Sequence, residues 1–137
     1  MISPGFKSLG NFTISANGTQ VGEWVTDLDG LLAAAVQARL AYGSGGGTVK
    51  LYLQTSLDQG NTAIDIACVV FGAAGEVALL NFSALTPKTT QVVPTDGAMT
   101  DDTAVDGILG DRLRCKVVSS GTVYGGSTTL SVGAAVR

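Results

Sequence analysis

At 137 residues the chain has the length of one domain, enough to bury a core without metals or cross-links. Apolar residues make up 45% and charged ones 14%, the net charge is −3, and histidine is absent. Such a chain offers phosphate backbones no general electrostatic attraction, lacks the commonest general base and transition-metal ligand, and holds no apolar run of the roughly 20 residues that a spanning helix needs.

The opening MISPGFKSLG has neither a basic nor a long apolar region, so no secretory signal is expected and synthesis in a cytoplasm follows. With Pro4 and two glycines, residues 1–10 read as an extended arm that adds a strand to a neighbouring subunit, with Phe6 and Lys7 as candidate contacts. Residues 11–137 read as a single domain. NFTISANGTQVGEWV is expected to fold as a hairpin, since Asn17-Gly18 suits the positive φ angles of a type I′ turn. Trp24 reads either as a core residue or as a platform for a sugar ring.

LLAAAVQARLAY, residues 31–42, has the alanines of a helix, but Val36, Ala38, Leu40 and Tyr42 recur at period two with Gln37 and Arg39 between them, so a strand is expected. GSGGG then joins it to TVKLYLQTS as a second hairpin. Beyond residue 63 the alternation gives Ile64, Ile66, Cys68 and Val70 on one face and Asp65, Ala67, Val69 and Phe71 on the other, the pattern of a central strand. EVALLNFS and KTTQVV are further strands. DRLRCKVVSS and TTLSVGAAVR close the chain around a GTVYGGS turn. Eight or nine short strands separated by glycine-bearing turns describe an all-β chain, a two-sheet antiparallel β-sandwich or jelly roll.

Between two of these strands, Ser56-x-Asp58-x-Gly60-x-Thr62 resembles the Asp-box of bacterial sialidases and related β-proteins, with Ala63 where that box has Trp. The resemblance implies a hairpin device, with Asp58 accepting backbone N–H bonds, Gly60 at positive φ and the Thr62 hydroxyl tying the returning strand. Residues 94–111 carry five of the eleven acidic side chains. Asp96, Asp101, Asp102 and Asp106 are therefore weak candidates for calcium, although the spacing matches no EF-hand, and a solvated loop with Asx turns is the plainer reading. Arg112, Arg114 and Lys116 alternate with Leu113, Cys115 and Val117. Three cations thus share one strand face, either paired with the acidic loop or presented to an acidic partner. Cys68 and Cys115 are both expected on inward faces as free thiols, with an internal or intermolecular bridge as the alternatives.

No nucleophile elbow, phosphate loop, paired-cysteine metal site or dinucleotide fingerprint is present, so neither catalysis nor a cofactor is expected. QTSLDQGNTAIDIA, PTDGAMTDDTAVDGILGDRLRCKVV and TTLSVGAAVR together resemble the small β-sandwich proteins encoded among the structural genes of tailed bacteriophages. That resemblance implies a virion component, made in the host cytoplasm and homo-oligomeric on the particle. Its partners would be the major capsid protein or other virion subunits, with neither nucleic acid nor membrane. A capsid decoration or cement role leads, followed by a neck or tail accessory. Two rivals belong to other classes: a carbohydrate-binding module using Trp24, Tyr42, Tyr52 or Tyr124, and an enzyme using the Asp101 and Asp106 carboxylates.

Overall fold

The computed structural model describes residues 2–121, 124, 125 and 127–137. Eight strands of four or more residues build two antiparallel sheets: β1 (Gly5–Thr13), β2 (Gly18–Val21), β3 (Ala33–Ala41), β5 (Val49–Thr55), β6 (Ile64–Phe71), β7 (Glu76–Ser83), β9 (Leu113–Ser119) and β11 (Thr129–Val136). Three two-residue strands, β4 (Ser44–Gly45), β8 (Thr103–Ala104) and β10 (Tyr124–Gly125), sit between them. Sheet A has the order β1-β11-β3-β7 and sheet B the order β2-β9-β5-β6-β8. The result is an all-β sandwich, as the sequence implies.

Alternation decides the elements. In β3, Ala34, Val36, Ala38 and Leu40 are buried while Ala35, Gln37, Arg39 and Ala41 are exposed, a period-two pattern that overrides the helical propensity of the alanines. Across the interior these residues face Val49, Leu51 and Leu53 of β5 and Leu113, Cys115 and Val117 of β9, all in one apolar cluster with Phe71, Phe82 and Leu130.

Connections depart from the expected hairpins. β1 pairs with β11 and β2 with β9, so the chain crosses from one sheet to the other at residues 14–17. Asn17 has no positive φ, and Ile14 is buried at the crossing. A weak local turn preference yields there to two long-range ladders. Likewise GSGGG links β3 in sheet A to β5 in sheet B, and its glycines are needed because a side chain at Gly46 (φ 72°) would collide with the Tyr124 ring. KTTQVV forms no strand. The GTVYGGS turn falls partly outside the described residues, with Tyr124 and Gly125 pairing to β4.

The hairpin that does form is β5–β6, around residues 56–63. A register shift between Leu53 and Gln54 leaves Ile66 as an extra residue in β6. Such a bulge moves every later side chain to the opposite face. Ala67, Val69 and Phe71 therefore join Ile66 against the core, and Cys68, expected inside, lies on the outer side of sheet B. Cys115 is in the core, both thiols are free, and the sheet separates them. The segment expected as a free arm is also corrected, because residues 5–10 lie in β1 and pair with β11 of the same chain.

Candidate interaction surface

The outer side of sheet B is roofed by the chain between β7 and β9, and Asp65 is the peg that holds the roof. Only 4% exposed, its carboxylate accepts the backbone N–H groups of Gly97 and Ala98 at 2.8–3.0 Å, the Thr95 hydroxyl at 2.8 Å and the Gln54 amide at 2.8 Å. Gln54, fully buried, also donates to Asp96 at 2.7 Å and accepts from Arg114 Nε at 2.8 Å. A carboxylate with this many donors is satisfied without a counter-cation beside it.

The remaining aspartates of the loop pin it to successive strands. Asp96 meets Lys116 Nζ at 3.2 Å, and the Gln54 amide, ahead of Lys116 and Arg114, holds its carboxyl below the usual carboxylate value. Asp101 binds Lys50 at 2.8 Å, which raises the lysine, and Asp102 accepts the Val70 N–H at 3.1 Å. Asp106 takes the Ser83 N–H, which is the main cause of its lowered pKa, and the Thr86 hydroxyl. The four calcium candidates thus go to different partners. Among the described residues, no three His, Cys, Asp or Glu side chains gather as a metal-holding group. Beneath the same roof, Tyr52 is buried and Cys68 Sγ lies 4.0 Å from Asp101, burial raising both pKa values.

At one end of the sandwich SLDQGNTA forms the turn its motif implies, with a different wiring. Ser56, fully buried, takes the Gly60 N–H on its hydroxyl and donates to Asp58 at 2.8 Å. Asp58 accepts the Thr62 N–H, four residues on, at 2.7 Å, and the Thr62 hydroxyl is the largest cause of its lowered pKa. Gly60 has φ 91°. Trp24, half-buried, stacks under Arg114 with 4.4 Å from the guanidinium to the ring centroid, and its indole nitrogen borders Gly60. Arg112 forks onto Asp111. All three cations of the Arg112–Lys116 stripe therefore have partners within the chain, and the Arg114 side chain is only 18% exposed.

Sheet A has no such roof. Register places three rows across its outer face: Phe6, Ala135, Ala35 and Asn81; Ser8, Gly133, Gln37 and Leu79; and Asn11, Ser131, Arg39 and Val77. Ala35, Ala135, Ser131 and Gly133 form the floor together with Gln37 and Arg39 of β3. Phe6, 75% exposed, and Leu79, 71% exposed, rise from the two edge strands. The Phe6 ring lies over Gly133 so closely that a Cβ there would stand 2.5 Å from it, which is why that position is glycine. Between these walls runs an open groove of about 860 Å³. Arg39, in the row at one end of the groove, has no ion-pair partner among the described residues.

Of the expected partner contacts, Phe6 alone belongs to this face. Lys7 stands opposite core Ala134, on the inward side of edge strand β1. The sequence reading missed Asp65, a lone acid in an otherwise apolar strand, and Leu79, whose signal was a strand apolar on both faces. No protein-family model matches the chain, and no curated protein matches it.

Proposed function

We propose that the chain is a structural protein of a tailed-phage virion, a capsid decoration or cement protein that docks on the major capsid protein lattice and stabilises the head. One observation carries this reading: the chain roofs the polar outer side of sheet B with its own loop, whereas among the described residues nothing covers the outer side of sheet A, where Phe6, Val77 and Leu79 stand exposed. Contiguous exposed apolar surface on a small domain favours contact with another molecule. Ala35, Ala135, Ser131 and Gly133 of the floor lose little rotamer entropy on burial, which suits repeated contacts on a lattice.

The order of the long strands adds support. Numbered along the chain, the first pairs with the eighth, the second with the seventh, the third with the sixth and the fourth with the fifth. We read this nested pairing as a jelly roll, an architecture used by viral capsid and lectin domains, and as such an argument from analogy. A glycan-binding role finds less support, since Tyr52 and Tyr124 are buried and Trp24 is covered by Arg114.

The test is a comparison of intact particles with particles lacking this protein. A cement protein makes the complete heads withstand heat and low salt better than the depleted ones, and equal resistance would refute the role. Electron microscopy of the intact particle distinguishes a head lattice position from a neck or tail position.

A further inference from the structure

The four sheet edges are not alike. β2 and β8, at the ends of sheet B, are four and two residues long. β1 is long, but a bulge between Ser8 and Gly10 breaks its ladder and Lys7 points to its inward side, both devices that discourage strand addition. β7 carries no such protection. Among the described residues it pairs only with β3, without a bulge, and it bears a single charge, Glu76, at its first position.

The geometry points to a second copy of this chain as the partner of that edge, β7 against β7 about a two-fold axis, joining two A sheets into one. The N–H of Ala84 bonds back to Leu32 while that of Ser83 turns outward to Asp106, so alternation turns Val77, Leu79 and Asn81 outward as well. Asp106 closes the edge at Ser83, and β7 begins at Glu76. The free stretch between these stops is 76–82, and its centre is Leu79. Antiparallel pairing with Leu79 opposite Leu79 therefore uses every outward group, forming about six backbone hydrogen bonds, without displacing Asp106. That register sets Val77 against Asn81 and Ala78 against Leu80, so the rim of the core exposed at Ala78 and Leu80 is covered. The two Glu76 side chains end up roughly 20 Å apart, well beyond the Debye length, so no like charges oppose each other.

This pairing narrows the assembly reading above to self-association. Because it is measured in solution without any particle, its failure would leave capsid docking standing. Sedimentation equilibrium of the full chain up to about 1 mM should give a dimer, with exchange of the Leu79 amide slowing as concentration rises. Leu79 is exposed, so Leu79→Lys and Leu79→Glu should fold, as unchanged exchange protection in β3 would confirm. Each places like charges directly opposite and should weaken the dimer about fivefold, whereas an equimolar mixture of the two should restore it. A chain monomeric at every concentration, a dimer that survives both substitutions, or a mixture that stays monomeric would each overturn the inference.

Discussion

On the outside of sheet B, Lys50, Arg114 and Lys116 each meet an aspartate delivered by the loop, and the face is closed. On the outside of sheet A, Arg39 stands among alanine, glycine and serine, with Phe6 and Leu79 exposed at the rims. The two faces belong to one chain and sit on equally regular strands. The difference teaches that this protein uses its own polar groups to finish one side of the sandwich and, among the described residues, leaves the other uncovered. The cationic stripe, the most conspicuous feature of the sequence, is spent internally, whereas the bland face of small residues is the one that remains available.

Removing the peg should damage the closed face most. Asp65→Ala leaves the Gly97 and Ala98 N–H groups, the Thr95 hydroxyl and the Gln54 amide without their acceptor. The expected loss is about 3–5 kcal/mol, read as a fall in the urea unfolding midpoint. A loss within ~0.5 kcal/mol would mean that the loop does not depend on this carboxylate.

Acid should open the same face. Asp58, Asp96, Asp106 and Asp111 are all held below the ordinary value of 3.8 by hydrogen bonds and neighbouring cations. A carboxylate lowered on folding contributes stability that is fully present above its unfolded value and lost as pH falls through the folded one. Stability should thus be level between about pH 5 and 8 and decline below about pH 4, and Asp96→Asn should flatten the decline. A titration that fell instead between pH 5 and 8 would contradict this assignment.

Thiol labelling sharpens the contrast between interior and roof. Burial pushes Cys115 up to about 12, and Cys68 lies under the loop with its pKa also raised. At pH 8 neither should react in the native chain. Loosening the roof with Asp96→Ala should expose Cys68 well before Cys115, and equal labelling rates would show that the two share one compartment.

The smallest effect on stability belongs to the open face. Leu79→Ala and Arg39→Gln should each change the unfolding free energy by no more than about 0.5 kcal/mol, since both side chains are exposed. A marked drop in binding to particles with no change in melting would confirm that this face serves contact rather than folding.

Much of the fold was legible because period-two alternation is a strong signal wherever one face is buried, as in β3, β9 and β11. Partner choice was not. The SANGTQV turn chemistry at Asn17-Gly18 is a local preference, and the ladders of β1 with β11 and β2 with β9 span most of the chain, so sequence proximity misleads. Cys68 was misplaced by one extra residue, Ile66, a bulge that no residue type announces. The acidic loop was visible as composition, but its role required knowing that Asp65 and Gln54 stand beneath it. The open face escaped notice because alanine, serine and glycine carry no chemical flag, and their meaning comes only from lying side by side on β1, β11 and β3 between Phe6 and Leu79.

The most direct measurement is hydrogen exchange of the chain free and bound to its particle. The account expects new protection at the outward amides of β7, Val77, Leu79 and Asn81, and at the outward amides of β1, with the loop at 94–104 unchanged. New protection confined to that loop, with sheet A exchanging as in the free chain, would contradict it.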